Sequence, residues 1–204
     1  MKNLFSEGEN GMIETKRLIL RHFEVNETDI QALFSIFSDE TVNNYLPWYP
    51  LETKDQAIEF YHKHILPKYE EEKGYYFAIC LKENNTPIGY VAVSGEDSHD
   101  FGYGLRQEFW GQGIVTEASE AVLHFLKSTN IKFITATHDI YNVGSGKVMQ
   151  KIGLDYKYTY RELWQPKNKV VTFRMYQLNF DNKQDSVYME YWNKYPEHFI
   201  EDLD

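Results

Sequence analysis

The stretch FGYGLRQEFWGQGIVTEA, residues 101–118, constrains this chain more than any other segment. Its pattern predicts a strand that ends at Leu105, a loop that carries Gly111 and Gly113, and a helix that begins near Thr116. Glycines in such a loop let main-chain amides approach a ligand without a side chain in the way. The N-terminus of the following helix adds a partial positive charge to those amides. The segment therefore predicts a site for a phosphorylated cofactor.

The composition fits one globular domain, since 42% of the 204 residues are apolar and 25% are charged. The chain contains no apolar run that approaches the roughly 18 residues of a membrane helix. The first residues lack the apolar core of a secretion signal, and the lone Cys80 cannot form an internal disulfide, so we expect a cytoplasmic protein. The net charge of −10 argues against nucleic-acid binding and favours a cationic substrate. We expect neither a nucleic-acid nor a membrane partner, and a monomer or a homodimer.

Apolar periodicity predicts an α/β fold with a mixed sheet. Residues 75–81 and 88–94 flank the turn ENNTP as a hairpin, and a third strand at residues 99–105 runs into the glycine loop. The helix after the loop leads to another strand at residues 132–138. A strand–helix–strand unit of this kind predicts a parallel pair. Helices are expected on both faces of the sheet.

Capping signals predict two further helices, one starting after Asn26 and one after Thr53 with its partner Gln56. Pro67 is expected to kink or end the second of these. A short helix is expected at residues 143–151, and the acidic C-terminal extension is predicted to be helical. Its residues Val187, Tyr191 and Trp192 share one face at helical spacing.

Three other cofactor sites match the sequence less well. The dinucleotide fingerprint G-x-G-x-x-G lacks its third glycine, because Thr116 stands there. The tetrad Gly144-Ser145-Gly146-Lys147 lacks the remaining residues of a phosphate-binding P-loop and is rejected. The pairs His99-Asp100 and His138-Asp139 are competent metal ligands, and they keep a metal-dependent phosphohydrolase open as an alternative.

A second segment, NVGSGKVMQKIGL at residues 142–154, joins the glycine loop in a wider pattern. With IETKRLILR, YLPWYP and PIGYVAV, these segments resemble, in order, the GNAT superfamily of acyl-CoA-dependent N-acetyltransferases. The similarity is to the Rim-type branch, which acetylates the N-termini of ribosomal proteins. It covers about residues 12–180, which we take as the catalytic domain, and leaves 181–204 as the extension.

The resemblance implies acetyl-CoA as a cosubstrate and no metal. In such enzymes the pantetheine arm pairs with the edge of the central strand, and the pyrophosphate rests on amides of the following loop. The cofactor contacts carried over to this sequence are Tyr103, Leu105, Gly111, Gln112, Gly113, Ile114, Val115, Thr116, Asn142 and Ser145.

The resemblance also implies direct attack of a primary amine on the thioester, with an amine-bearing small molecule or a protein N-terminus as the acceptor. Asp100 stands where many relatives have a glutamate, so we expect it to be the general base; His99 and His138 are second candidates. Met149 stands where a tyrosine acid is frequent, which leaves Ser145, Tyr141 or water as the proton donor. Trp48 and Tyr49 are expected to border the acceptor. The alternative to an enzyme is a protein that binds acyl-CoA as a sensor and does not transfer the acyl group.

Overall fold

A computed structural model describes residues 6–7, 12–71, 74–181 and 186–203. The N-terminal residues 1–5 and residues 182–185 and 204 of the predicted extension lie outside the described part. The strands are β1 (Ser6–Glu7), β2 (Ile13–Glu14), β3 (Leu18–Arg21), β4 (Gly74–Leu81), β5 (Pro87–Ser94), β6 (Phe101–Leu105), β7 (Phe133–Asp139), β8 (Asp155–Trp164), β9 (Lys169–Asn179) and β10 (His198–Phe199). The helices are α1 (Glu27–Phe37), α2 (Glu40–Asn43), α3 (Lys54–Phe60), α4 (Leu66–Glu70), α5 (Ile114–Leu126), α6 (Val143–Lys151) and α7 (Glu190–Lys194).

The described strands form two antiparallel sheets. The first has six strands in the order β1-β2-β3-β4-β5-β6, and the second has four in the order β10-β8-β9-β7. Alternation along β4 separates two cores, because successive side chains point to opposite faces. Phe77 and Ile79 pack in the core that contains α5, whereas Tyr76, Ala78 and Cys80 pack with α1 and α3. This confirms the predicted α/β architecture with helices on both faces.

The contact between β6 and β7 differs from the predicted parallel pair. β7 pairs antiparallel with β9 instead and belongs to the second sheet. Near the beginnings of β6 and β7, the main-chain N–H and the hydroxyl of Thr135 donate to the Ser98 carbonyl at 3.3 and 3.0 Å. Beyond this point the described residues form no ladder between the two strands, so a gap opens between the sheets. We call this gap the splay.

The predicted caps are confirmed. The Asn26 side chain accepts from the Asp29 amide at the start of α1, and Thr53 and Gln56 form a reciprocal capping box at the start of α3. Pro67 does not end the helical segment: a π-helical turn at Tyr61–Ile65 joins α3 to α4, and the proline occupies the first turn of α4. Proline is tolerated at the first turn of a helix.

Within its described residues, the C-terminal extension is helical over Glu190–Lys194 alone, and it then forms β10, which pairs antiparallel with β8. Pro196, which lacks an amide hydrogen, follows this short helix and disfavours its continuation. Tyr191 and Trp192 of the helix pack against the buried rings of Tyr158 and Tyr160. The extension is thus part of the second sheet's packed face.

Candidate active site

The glycine loop leaves the start of α5 open. Gly111 and Gly113 have φ angles of +73° and +71°, in the left-handed region that favours glycine. α5 begins at Ile114, two residues before the predicted start at Thr116, and Gly113 as its N-cap residue provides no side-chain cap. The first amides of α5 therefore keep their capacity to bind an anion.

Arg17 and Glu117 hold this loop against the first sheet. The Arg17 guanidinium donates to the Gln112 carbonyl at 2.9 Å and to Glu117 Oε2 at 2.6 Å. The Thr15 hydroxyl donates to Glu117 Oε1 at 2.5 Å. Burial alone would raise the pKa of Glu117, but the hydrogen bonds from Thr15 and Arg17 outweigh it and lower that pKa. Glu117 is thus an ionised anchor in the first turn of α5, and it fixes the loop that carries the predicted cofactor contacts.

The outer edge of β6 faces the splay. Arg106 N donates to the Ile88 carbonyl of β5 at 2.9 Å. Because main-chain groups alternate in an antiparallel pair, those of Tyr103 and Leu105 point away from β5. The Leu105 carbonyl accepts from Trp110 Nε1 at 2.8 Å, and its side chain is buried in the core. Tyr103 thus offers the main-chain groups that an extended ligand arm could bind.

The N-terminus of α6 meets β6 across the splay. Asn142 caps α6 by accepting from the Ser145 amide at 3.2 Å. The Tyr103 hydroxyl donates to the Ser145 carbonyl at 2.9 Å and lies 3.0 Å from Ser145 Oγ. Burial raises the pKa of Tyr103, so its hydroxyl is neutral at physiological pH. Asn142, Ser145 and Tyr103, which were predicted separately, are thus brought together.

A cavity of about 150 Å³ occupies the splay. The sheets contribute its floor, α6 one wall, and the loop after α2 another. Its lining residues are Tyr45, Leu46, Tyr90, Phe101, Gly102, Tyr103, Thr137, His138, Asp139, Asn142, Ser145, Met149 and Phe173. Side chains from both faces of the sheets contribute, so the cavity connects the α6 side of the protein with the opposite side.

Asp100 lies at the beginning of β6, next to this cavity but outside its lining. Gly102, two residues on and on the same face of the strand, is part of the lining, and a Cβ added there would meet no atom within 4 Å. Asp100 Oδ1 accepts from the Thr135 hydroxyl at 3.4 Å. Desolvation raises the pKa of the Asp100 carboxyl to about 6, and the hydrogen bond from Thr135 opposes this increase. The Asp100 side chain is half-buried, and it lies two residues along the strand from Gly102 of the cavity lining.

Comparison with known proteins identifies this arrangement. The family model described as an acetyltransferase (GNAT) domain matches residues 17–155, more than half of the chain. The chain belongs to the GNAT acetyltransferase family. It is therefore an acetyl-CoA-dependent acetyltransferase, and the uncapped start of α5 and the free edge of β6 fit the pyrophosphate and the arm of that cosubstrate.

Several relatives share this GNAT domain. The uncharacterized N-acetyltransferase YnaD of Bacillus subtilis is 31% identical over 146 residues, which cover 70% of this chain and 81% of YnaD. A GNAT-family acetyltransferase from Bacillus anthracis superposes with a TM-score of 0.71 at 24% identity, covering 83% of this chain and 98% of the other. RimL, a ribosomal L7/L12 α-N-protein acetyltransferase solved with coenzyme A, superposes with a TM-score of 0.69 at 17% identity. The superposition covers 81% of this chain and 95% of RimL. These structures show the same fold.

His138 is the predicted base candidate that lines the cavity of this GNAT enzyme directly. Its Nδ1 lies 2.8 Å from the Asp139 carbonyl, so we assign the proton to Nδ1. Its Nε2 is buried and has no hydrogen-bond partner among the described residues. Burial lowers the pKa of His138, which keeps it neutral. A Cβ at Gly146 would lie 2.7 Å from Nε2, so the nitrogen faces α6 closely.

The other predicted residues lie further from the cavity. Trp48 packs against Phe37 and Phe60 in the α1–α3 core, and the Tyr49 side chain is 60% exposed. Neither lines the cavity; their neighbours Tyr45 and Leu46 do. The YLPWYP motif identified this loop, but only the structure shows which of its side chains turn inward.

Two predicted candidates remain outside the lining as well. Tyr141 is 75% exposed, and its main-chain carbonyl accepts from the Tyr45 hydroxyl at 3.4 Å. The His99 ring packs against Phe133 at 5.6 Å between centroids.

In the described ranges, no three His, Cys, Asp or Glu side chains group closely enough to hold a metal ion. No helix in those ranges is long and apolar enough to span a bilayer.

Proposed function

We propose that this GNAT enzyme transfers the acetyl group of acetyl-CoA to a primary amine by direct attack, with Asp100 as the general base. The amine nitrogen forms a bond to the thioester carbonyl carbon and loses one proton. The carbon–sulfur bond breaks, and the sulfur leaves as a thiol after it gains a proton. The observation that carries the proposal is the cavity in the splay, which is lined from both faces of the sheets and lies between the start of α6 and the loop after α2.

The position of Asp100 supports proton transfer through water. Its carboxyl lies outside the cavity lining, whereas the next two residues of β6, Phe101 and Gly102, belong to it. The open space beside Gly102 provides room for a bridging water between the carboxyl and an amine in the splay. A carboxyl with a pKa of about 6 accepts a proton more readily than an ordinary aspartate while it remains mostly ionised above pH 7.

The hydroxyl groups of Tyr103 and Ser145 are the best-placed proton donors for the leaving sulfur. They lie 3.0 Å apart at the cavity, where Met149 provides no acidic proton. Tyr141, the other predicted donor, is largely exposed and lies outside the cavity. The Tyr103–Ser145 pair therefore replaces the tyrosine that is frequent in relatives at the position of Met149.

We expect Tyr103→Phe to lower kcat about 100-fold, the lower end of the range for the loss of one acid–base group. The ring and its packing remain, so the Kd of acetyl-CoA should stay within about threefold of wild type. Tyr141→Phe removes a comparable hydroxyl outside the cavity and is expected to retain nearly full kcat. A larger loss in Tyr141→Phe than in Tyr103→Phe would reverse this assignment. Steady-state kinetics and calorimetry measure the two quantities.

The acceptor is an amine that reaches the site as a cation. The net charge of −10 favours approach of cations, and Asp139 adds a buried carboxylate to the cavity lining. Among structural neighbours, RimL is named for modifying a ribosomal protein N-terminus, and we extend this acceptor class to the present chain as one of two candidates. The other is a small molecule with a primary amine.

A panel of short peptides and small amines with acetyl-CoA, read by release of free thiol, tests the proposed function and separates the acceptor classes. We expect turnover with at least one primary amine and none with its N,N-dimethyl analogue, which has no proton to lose. Calorimetry must also show acetyl-CoA binding in the absence of an acceptor. Binding without turnover across the panel would favour the sensor alternative, and absence of binding at millimolar concentration would exclude both.

A further inference from the structure

The C-terminal extension is fixed to the second sheet at its first end. The Gln177 side chain of β9 donates to the Ser186 carbonyl at 2.8 Å and accepts from the Tyr188 amide at 2.8 Å. The Tyr158 hydroxyl of β8 donates to the Tyr188 carbonyl at 2.7 Å. Three hydrogen bonds thus fix residues 186–188 on the outer face of the sheet. We call residues 186–203 the strap.

The second end of the strap is fixed equally firmly. β10 pairs antiparallel with β8, which places His198 opposite Tyr160. The Arg174 guanidinium donates to both carboxylate oxygens of Glu201, at 3.0 and 2.7 Å. Both side chains are about three-quarters buried, which is a favourable setting for a bidentate pair. The strap is therefore held at two ends, and the position of the residues between them is determined.

Between these anchors, the strap brings Tyr191 to the general base. The Tyr191 ring stacks on Tyr160 at 5.4 Å and contacts Tyr188 at 5.3 Å between centroids. Burial raises the pKa of the Tyr191 hydroxyl, and the neighbouring Asp100 carboxylate raises it further. Gln177, which holds the Tyr188 amide, lies opposite Thr135 in the β7–β9 pairing, and the Thr135 hydroxyl donates to Asp100, so this part of the strap lies beside the Asp100 carboxyl.

We propose that the strap completes the acceptor side of the active site, with Tyr191 as a positioning residue that covers the Asp100 carboxyl and excludes water from one side of it. This inference rests on the proposed function, in which Asp100 is the base. The strap closes the Asp100 end of the acceptor face, so the amine enters from the other end, past Tyr45 and Asp139. A slender primary amine fits such a closed end, whereas an amine with a bulky substituent on the α-carbon does not.

The groups around Asp100 support a role for burial in place of ion pairing. Among the described residues, the titratable groups whose pKa the Asp100 carboxylate raises include four tyrosines: Tyr103 of β6, Tyr160 of β8, and Tyr188 and Tyr191 of the strap. Charged side chains lie one step further out and interact with Tyr188; they are Asp97, Glu190 and Lys194. Burial is the largest cause of the raised Asp100 pKa. Removal of a covering ring should therefore move that pKa toward its ordinary value.

The direct test is a carbon-13 NMR titration of the Asp100 carboxyl, assigned by its loss in Asp100→Asn. In wild type we expect a midpoint near pH 6. Tyr191→Ala should lower it by about one pH unit, because water reaches the carboxyl. Tyr195→Ala is the matched control: it removes an equal ring from the same cluster, where Tyr195 stacks on Tyr160 at 4.8 Å and interacts with Glu162 instead of Asp100. The control midpoint should stay within a few tenths of wild type.

The low-pH limb of kcat/KM should move with the carboxyl midpoint in Tyr191→Ala, and not in Tyr195→Ala. An ordinary midpoint in wild type, or equal shifts in the two variants, would overturn the inference. Should Tyr191→Ala fail to fold, Tyr191→Leu keeps more of the packing and should give a smaller shift in the same direction. The titration requires no turnover, so an inactive wild type would contradict the proposed function alone. An active enzyme whose pH profile ignores Tyr191 would contradict the role of the strap alone.

Discussion

Replacement of Asp100 by asparagine is expected to lower kcat/KM by about 10²- to 10⁴-fold at pH 8, the usual contribution of a general base. The asparagine side chain keeps the size of the carboxyl and can still accept from Thr135, so the local structure should persist. The Kd of acetyl-CoA should hardly change, because the predicted cofactor contacts lie further along β6, at the start of α5 and at the start of α6, and Asp100 is not among them. Steady-state kinetics with saturating amine, together with calorimetry, measure both quantities.

The same substitution is expected to stabilise the protein above pH 6. The Asp100 pKa is about 6 in the folded protein against 3.8 in the ordinary case, so the folded state binds the proton more tightly than the unfolded state. The wild type therefore loses stability as the pH rises from about 4 through 6, when a desolvated carboxylate forms. At about 1.4 kcal/mol per pKa unit, the free energy of unfolding of Asp100→Asn should exceed that of wild type by on the order of 3 kcal/mol at pH 8.

Urea unfolding at pH 4 and pH 8 measures this difference, which should be present only at the higher pH. Asp97→Asn provides the control, since Asp97 is an exposed acid in the same loop. Its substitution should leave both activity and stability nearly unchanged. An Asp100→Asn enzyme with the rate and pH profile of wild type would exclude Asp100 as the base and direct attention to His138, whose neutral imidazole lines the cavity.

Local chemistry explains which parts of the fold the sequence could predict. The Asn26 cap and the Thr53–Gln56 capping box depend on residues three positions apart, so their pattern is visible in the chain itself. α6 was predicted with the bounds that the structure has, because Asn142 caps its beginning and Gly153 takes the left-handed conformation after its end. The second hairpin strand likewise was placed within one residue.

Strand partners were harder to predict, because they depend on contacts distant in sequence. A strand, a helix and a strand usually form a parallel pair, but here β7 pairs with β9, some forty residues later. The splay that results leaves the edge of β6 free, and the cavity lies in this splay. The family resemblance implied a central strand whose edge is free to pair with the pantetheine arm, whereas the periodicity of the residues alone suggested a continuous sheet.

The position of the C-terminal extension was hard to predict for the same reason, since it depends on contacts with residues distant in sequence. Val187, Tyr191 and Trp192 follow helical spacing, but the hydrogen bonds of Gln177 and Arg174 determine where the strap lies. Those partners precede the strap along the chain and carry no signal that joins them to it. The strap reaches the surroundings of Asp100 through Gln177 and Thr135, which are distant from it in sequence, so this approach required the structure.

The second large effect is expected at the glycine loop, where Gly111→Asp should weaken acetyl-CoA binding about 10- to 100-fold. A Cβ added at Gly111 would meet no atom within 4 Å, so a new side chain projects into open space without a clash. A carboxylate there would stand near the amides that we expect to bind the pyrophosphate. Repulsion between like charges a few ångströms apart costs about 1–3 kcal/mol at a partly exposed site.

Gly111→Asn is the matched control, because asparagine has nearly the same shape, is neutral, and tolerates the left-handed φ of +73° as well as aspartate or better. Any strain is therefore common to both variants, and the difference between them isolates the charge. Calorimetry at low and high salt should show a gap that narrows as salt screens the repulsion. An equal loss of affinity in both variants would place the phosphates elsewhere. An unchanged affinity in both would mean that the amides held in place by Arg17 and Glu117 do not bind the cofactor.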